Sequence, residues 1–182
     1  MTVPMLPRVA RLDVSQLPRV RKLDRVDPAP RWLSADEQAA WRSFLSAVAL
    51  LNASVETQLQ HESGLSHADY EILVRLSEAP HRALRMSELA DRTLFSRSRL
   101  SHAVGRLERA GLVRREPFPG DRRGLCAVLT EPGMRTLETA APGHVETVRR
   151  VLFDALTSEQ IEQLTDIAHA VIAAAAPDPL AG

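Results

Sequence analysis

Apolar residues recur three or four positions apart over most of the chain after residue 32, which is the spacing of one face of an α-helix. The first such segment runs from Trp41 to Leu59 and predicts a long amphipathic helix. Ser34 and Glu37 have the spacing of a capping box at its start, and Gly64 marks its end. One long helix therefore follows an irregular N-terminal stretch.

Shorter helices are predicted in the middle of the chain. Ser66 is placed to cap a second helix, which Pro80 stops. Two further helices, capped by Ser87 and Ser96, are separated by little more than the dipeptide Leu94-Phe95. Two short helices joined by so tight a turn are typical of a helix-turn-helix.

Strand-like segments follow the helix-turn-helix. Residues 112–115 and 125–129 flank a turn rich in proline and glycine, and this pattern predicts a β-hairpin. Thr130 then caps a long helix that we expect to bend at Pro142, and Thr157 caps the last helix. The predicted fold class is mostly α with a small β-hairpin wing (α+β), a winged helix-turn-helix with long N- and C-terminal dimerisation helices.

The pattern divides the chain into five segments. Prolines are frequent before residue 32, so this basic stretch is predicted to be extended or partly disordered. The end helices carry apolar faces too large for the small middle module to cover, and a two-fold dimer would bury them. The segments are a basic Pro-rich arm (1–31), a dimerisation helix (32–64), a winged helix-turn-helix DNA-binding domain (65–130), C-terminal dimerisation helices (131–176) and a tail (177–182).

The formal net charge is zero, because 23 Lys and Arg residues balance 23 Asp and Glu residues. The charges are unevenly distributed: residues 1–31 carry a net charge of +4, residues 82–123 carry +6 and the remainder carries −10. The +6 segment coincides with the predicted helix-turn-helix and hairpin. A basic segment between acidic flanks is expected of a surface that contacts phosphate, although a solvated arginine-rich face has the same composition.

Composition excludes several classes of protein. A single cysteine, Cys126, rules out an intrachain disulfide framework and any multi-cysteine metal site. No apolar run approaches the roughly 18 residues of a membrane span, and the chain starts without the apolar stretch of a signal peptide, so we expect a cytoplasmic protein without membrane contact. The chain lacks paired carboxylates in an apolar setting, a nucleophile elbow and a phosphate-binding glycine loop, so we expect no enzymatic activity, no cofactor and no metal.

The helix predicted from Ser96 to Ala110 has two distinct faces. An apolar stripe from Leu100 to Leu107 should pack on the preceding helix. The other face offers small hydroxyls, a histidine and arginines, which suit the major groove of DNA, although any solvent-exposed helix face is polar too. The candidate DNA contacts on this helix are Arg97, Ser98, Ser101, His102 and Arg106.

The tip of the predicted hairpin carries Asp121, Arg122 and Arg123. A hairpin with two arginines at its tip can reach into the narrow, negative minor groove. Asp121 can direct one of the arginines through a charge-assisted hydrogen bond. These three residues are the candidate DNA contacts of the wing.

Four motifs between residues 86 and 133 are specific as a set. They are MSELADRT (86–93), SRSRLSHAVGRLERAGLVRR (96–115), DRR (121–123) and LTEPG (129–133). Through these motifs, residues 32–175 resemble the MarR family of bacterial transcriptional regulators. The resemblance implies a homodimer whose first, fifth and sixth helices intertwine with those of the partner. It also implies binding to palindromic double-stranded operators and, usually, repression of nearby genes.

The resemblance assigns roles to single positions. Ser98, Ser101, His102 and Arg106 become base-edge or groove contacts, and Arg123 becomes the minor-groove probe. His102 stands where the family often has arginine, and Gly105 where a longer polar residue is usual. A two-fold dimer places its two recognition helices about 34 Å apart, one turn of DNA.

A small-molecule effector is a further expectation, since members of the family often bind small aromatic acids or drugs between the first two helices and the DNA-binding module. The candidate pocket residues are Trp41, Phe44, Tyr70 and Arg75. For Trp41 and Phe44 we favour the alternative that they belong to the hydrophobic core.

Three alternatives stay open from the sequence. The basic face could meet an acidic protein, making the chain a winged-helix interaction module without operator binding. Cys126 could act as a redox switch, although a buried apolar role fits its neighbours better. His61, Glu62, His67 and Asp69 bracket a helix junction and could hold a metal, but solvation and helix capping explain these residues better.

Overall fold

The computed structural model describes residues 30–118 and 121–175, which contain six α-helices, two 3-10 turns and three β-strands. The chain is mostly helical with a small antiparallel sheet, which confirms the predicted fold class. In chain order the elements are α1 (Ala35–Ser63), α2 (His67–Ser77), a 3-10 turn (Pro80–Arg82), β1 (Ala83–Arg85), α3 (Met86–Thr93), α4 (Arg97–Arg109), β2 (Val113–Phe118), β3 (Asp121–Leu129), α5 (Glu131–Val151), a second 3-10 turn (Phe153–Ala155) and α6 (Ser158–Ala175).

Helix caps account for where the first two helices begin and end. The Ser34 hydroxyl accepts a 3.2 Å hydrogen bond from the Glu37 amide, and the Glu37 carboxylate accepts one of 2.7 Å from the Ser34 amide. Gly64 ends α1 in the left-handed conformation at φ 68°, which glycine adopts without penalty. Ser66 and Asp69 form a second capping box at α2. The predicted starts of both helices are confirmed.

The start of α3 differs from the prediction. The N-cap is Arg85 and makes no side-chain cap, whereas Ser87 already lies inside the helix, so the prediction that Ser87 caps α3 was wrong. The reason is that Arg85 ends β1 and pairs with Cys126, so the chain passes directly from a strand into the helix. A strand of three residues is too short to be recognised from alternation of polar and apolar positions.

The predicted hairpin is part of a three-stranded antiparallel sheet with the order β1-β3-β2. In the central strand β3, Cys126 pairs with Arg85 of β1 on one side and with Glu116 of β2 on the other. The ladder between β2 and β3 is irregular at Pro117 and Phe118. The wing is therefore anchored to the chain segment that leads into the helix-turn-helix.

Helix α5 starts tightly against the end of α4. The Thr130 hydroxyl caps α5 by accepting from the Gly133 amide at 3.1 Å, and it donates to the Gly111 carbonyl at 2.7 Å. A β-carbon at position 133 would overlap the Leu112 carbonyl, so only glycine fits there. The helix continues through Pro142 as a single element to Val151.

The core joins the helix-turn-helix to parts of the two long helices. Ile72, Leu76, Leu89, Leu100 and Val104 are fully buried between α2, α3 and α4. The C-terminal half of α1 and the N-terminal half of α5 complete this cluster with Val55, Leu59, Leu137 and Ala140. Residues 34–155 form one compact unit.

The N-terminal half of α1 is not part of that core. Trp41 and Phe44 each leave 52% of their surface exposed, so the prediction that they are core residues was wrong for the single chain. The physical reason is length: a 29-residue helix is about 43 Å long, which exceeds the span of the module that its other half packs against.

Helix α6 belongs to a second unit. The Thr157 hydroxyl accepts from the Gln160 amide at 3.3 Å, which confirms the predicted cap. None of its residues is buried, and Ile167, Val171 and Ile172 are exposed. None of the helices in the described segments is long and apolar enough to cross a membrane.

Candidate nucleic-acid interface

Helix α4 has the two faces that its sequence predicts. Leu100, Ala103, Val104 and Leu107 are buried, and Ser98, Ser101 and His102 are exposed on the opposite side. The Ser96 hydroxyl accepts a 3.2 Å hydrogen bond from the Arg99 amide and so sets where the helix begins. Arg97 is exposed in the first turn, where α4 carries no acidic residue. The structure brings these four predicted contacts together on one solvent-facing surface.

Arg106, the fifth predicted contact of α4, is engaged within the protein. Its Nη2 donates to Oδ1 of Asp69 at 2.9 Å, and its side chain is still half exposed. Asp69 lies in the first turn of α2, where its other oxygen accepts a 2.6 Å hydrogen bond from the Ser66 hydroxyl. The pair therefore ties the recognition helix to the N-terminus of α2.

Arg115 of β2 holds the recognition helix from the other direction. Its Nη2 donates to the Ser101 carbonyl at 2.9 Å, and its Nη1 lies 3.2 Å from Oε2 of Glu108. The same guanidinium passes Gly105 closely enough that a β-carbon there would touch it at 3.7 Å. Because Arg115 belongs to the wing strand, it couples the position of the wing to that of α4.

Sequence reasoning missed both of these linkages. Asp69 and Arg106 are separated by 37 positions, so no local pattern indicates that they meet. Arg115 and Glu108 are seven positions apart and are separated by the end of α4. In both cases an arginine side chain is bonded to another element of its own protein.

The base of the wing is fixed by an aromatic contact. The Arg85 guanidinium lies 3.5 Å from the centre of the Phe118 ring, a cation–π arrangement. Arg114 and Glu116 form a further ion pair along β2, with 2.5 Å between Nε and Oε1.

The side chains of the predicted wing contacts lie outside the described part of the chain. These residues are Asp121, Arg122 and Arg123.

Cys126 is buried in β3. Burial raises the pKa of its thiol; Glu116 and Glu88 also raise it, and Arg85 lowers it. A raised pKa disfavours the thiolate, which is the form that oxidants attack. These surroundings support the apolar role of Cys126 over the redox switch.

The four residues predicted to line an effector pocket do not come together. Trp41 and Phe44 are exposed on α1, and Arg75 pairs on its own helix with Glu71 at 3.6 Å. Tyr70 is buried, and its ring centre lies 4.4 Å from that of His144 on α5. The reason is that α2 turns Tyr70 inwards to α5 and carries Arg75 further along the helix.

A cavity of about 880 Å³ lies instead between α1, α2 and α4. Its polar lining includes Glu56, His67, Glu71, Arg99, His102 and Arg106. Two of these residues, His102 and Arg106, are predicted DNA contacts. Within the described segments no three His, Cys, Asp or Glu side chains are grouped as a metal site would require.

His144 of α5 lies beside His67 and Tyr70 of α2. Its Nδ1 is buried and has no hydrogen-bond partner among the described residues. Burial lowers the pKa of its imidazole, and the nearby His67, whose ring centre is 6.3 Å away, lowers it further. The lowered pKa favours the neutral form of the His144 imidazole.

Residues 63–124 match the model of the MarR family. The regulator PecS of Dickeya dadantii is 33% identical over 110 residues, which are 59% of this chain and 66% of PecS. The regulator MhqR of Bacillus subtilis is 26% identical over 107 residues, which are 59% of this chain and 72% of MhqR. Both relatives are HTH-type transcriptional regulators.

Two solved structures from Streptomyces coelicolor are more similar. Sco3205, a MarR family transcriptional regulator solved in complex with DNA, superposes with a TM-score of 0.80 at 48% identity over 84% of this chain and 95% of that one. AbsC, also a MarR family regulator, gives a TM-score of 0.74 at 48% identity over 78% of this chain and 95% of its own. With nearly the whole of Sco3205 and AbsC matched at 48% identity, this winged helix-turn-helix chain belongs to the MarR family.

Proposed function

We propose that this protein is a sequence-specific regulator of transcription that binds double-stranded DNA as a homodimer. One observation carries the proposal: α4 exposes Ser98, Ser101 and His102 on one face while its other face is buried and braced from two sides. A rigid helix with small hydroxyls and an imidazole on its free face suits direct readout in the major groove. DNA binding itself is supported by the similarity to Sco3205, which was solved in complex with DNA.

The chemistry of each contact follows from its side chain. Ser98 and Ser101 can donate to or accept from base edges, and His102 can approach the acceptors of a purine. Arg97, in the first turn of α4, is placed for a phosphate at the groove edge. Arg122 and Arg123 of the wing are proposed to reach the adjacent minor groove, with Asp121 directing one of them.

The domain organisation in this proposal is that of a dimer with two DNA-binding modules. Residues 65–130 bind DNA, and the helices in 32–64 and 131–176 form the dimer. Exposed apolar side chains support this division, since a monomer rarely exposes so many large ones. On α1, α5 and α6 they are Trp41, Phe44, Leu45, Val48, Leu50, Val145, Ile167, Val171 and Ile172.

The proposed dimer is tested by placing a charged side chain in its interface. Phe44→Asp places a carboxylate on an exposed part of α1, so it should leave the module folded while sedimentation equilibrium reports a monomer. Leu125→Asp, at a similarly exposed leucine of the wing, is the matched control and should leave the mass unchanged. Equal masses for both variants and the wild type would contradict the proposed interface.

We further propose that the protein represses transcription and is released by a small molecule. The cavity between α1, α2 and α4 supports this, because an occupant would touch His102 and Arg106 of the recognition helix. Arg99 and Arg106 could pair with the carboxylate of a small aromatic acid, although Glu56 and Glu71 line the same cavity. Such a ligand would compete with Asp69 for Arg106 and so weaken DNA binding.

The test of DNA binding uses labelled duplexes from the region upstream of the gene that encodes this protein. We expect anisotropy titrations to show one fragment bound far more tightly than an unrelated duplex of equal length, with affinity that falls as salt is raised. Equal, weak binding to all fragments at low salt would contradict sequence-specific recognition. It would favour the alternative that the basic face binds an acidic protein partner.

A further inference from the structure

Leu94 occupies the turn between α3 and α4 in a conformation that is unusual for leucine. Its backbone is left-handed, with φ 55° and ψ 26°, and its amide donates to the Ala90 carbonyl to end α3. Its side chain is 91% exposed, more than any other large apolar side chain among the described residues. The neighbouring Phe95 is half-buried and carries the Arg99 guanidinium over its ring.

The folded chain gains nothing from leucine at this position. A left-handed backbone brings the β-carbon of an L-residue close to the following carbonyl, so glycine is preferred there and asparagine is tolerated. A leucine side chain this exposed buries almost no surface in return. Backbone strain that the fold itself does not require is a reason to look for a partner of the side chain.

The position of Leu94 indicates which partner it meets. It lies two residues before Ser96, the N-cap of the recognition helix, and just ahead of the exposed Arg97 and Ser98. In a helix-turn-helix the first helix crosses the DNA backbone and the second enters the major groove, so the turn between them faces the strand at the groove edge. The surrounding segment, residues 82–123, has a net charge of +6, which favours a polyanion over an apolar protein.

We propose that Leu94 packs against deoxyribose in the DNA backbone that borders the major groove. The sugar is the apolar part of that backbone, and an apolar side chain between arginines can cover it while the arginines contact the phosphates. The contact is independent of base sequence, because every nucleotide presents the same sugar. This inference rests on the proposed DNA binding and adds to it an uncharged backbone contact outside the recognition helix.

The experiment compares three variants by thermal unfolding and by anisotropy titration on the upstream duplex and an unrelated one. Leu94→Gly and Leu94→Asn relieve the strained backbone, so both should unfold at a higher temperature than the wild type. Both should nevertheless bind the two duplexes about fivefold more weakly, by the same factor for each, with an unchanged salt dependence because no charge is removed. Leu94→Met keeps an apolar side chain and should retain most of the affinity.

Each contrary result has a definite meaning. If the glycine and asparagine variants bind as tightly as the wild type, the sugar contact is overturned while DNA binding stands. If affinity falls only for the upstream duplex, Leu94 meets a base, and the backbone assignment is overturned. If sedimentation shows an altered oligomeric state, the side chain belongs to a protein interface, which also overturns the assignment. If the wild type binds neither duplex, the proposed function itself fails.

Discussion

Arg106 of the recognition helix donates a 2.9 Å hydrogen bond to Asp69, the residue that also completes the capping box of α2. One carboxylate thus serves two purposes, because its Oδ2 accepts from Ser66 while its Oδ1 holds Arg106. Asp69 is buried, so these hydrogen-bond partners take the place of water around its carboxylate. The orientation of α4 is therefore linked to the start of α2.

A double-mutant cycle separates the two roles that Arg106 can have. If Arg106 acts by positioning α4 through Asp69, Arg106→Ala and Asp69→Ala each weaken DNA binding, the double variant is no weaker than the worse single one, and the salt slope stays constant. If Arg106 contacts a phosphate, its removal lowers the salt slope by about one and Asp69→Ala does not. Anisotropy titrations at several salt concentrations make the distinction.

The free energy of unfolding gives a second test of Asp69. Asp69→Ala should cost about 1–2 kcal/mol of unfolding free energy, since it removes a helix cap and a hydrogen bond to a half-exposed arginine. Glu78→Ala, which removes an exposed partner 4.0 Å from Arg75, is the control and should cost less than about 0.5 kcal/mol. Urea unfolding measures the free-energy loss of both variants. Equal losses would contradict a stabilising role of Asp69.

The wing arginine is tested by removing one charge. Arg123→Ala should weaken binding to the upstream duplex and lower the slope of log affinity against log salt by about one. Arg149→Ala removes the same charge from the exposed C-terminal end of α5 and should change neither. An unchanged slope and affinity for Arg123→Ala would remove the wing from the proposed interface.

Two glycines respond oppositely to alanine. Gly105 lies inside α4 with room for a β-carbon beside Arg115, so Gly105→Ala should stabilise the protein by about 1 kcal/mol through helix propensity. A β-carbon at Gly133 would overlap the Leu112 carbonyl, so Gly133→Ala should destabilise it by more than about 2 kcal/mol. Chemical denaturation measures the change in unfolding free energy of each variant. Changes of the same sign would contradict the packing around Gly105 and Gly133.

The half-buried imidazole of His144 makes the stability of the protein depend on pH. Burial and His67 lower its pKa in the folded state, so the unfolded chain binds the proton more readily. Its contribution to stability is present above the ordinary histidine pKa of about 6.5 and is lost as pH falls through the lowered folded value. The urea midpoint should therefore decline as the solution is acidified below about pH 7.

The variant His144→Phe identifies the source of this decline. It keeps an aromatic ring beside Tyr70 and removes the titrating group, so the decline in the urea midpoint should become shallower. His81→Asn removes an exposed imidazole at a left-handed position that asparagine tolerates, and it serves as the control. If both variants flatten the curve equally, His144 is not the group responsible.

Local sequence signals determined the elements of this protein. Helix caps at Ser34, Ser66, Ser96 and Thr130, the helical spacing of apolar residues and the proline-rich turn before β3 are interactions between near neighbours in the chain. The two faces of α4 follow in the same way, because a helix of known start presents known positions together. The family motifs and the basic segment indicated which face would meet DNA.

Only the tertiary structure decided how those elements are held and which charged residues are free. The hydrogen bonds from Arg106 to Asp69 and from Arg115 to the Ser101 carbonyl join residues that are distant in the chain. Strand β1, which pairs with β3, is too short to leave a recognisable sequence pattern. The exposure of Trp41 and Phe44 likewise depends on how far the module extends along α1. Periodicity tells which face of a helix is apolar, whereas the partner that covers it depends on packing in three dimensions.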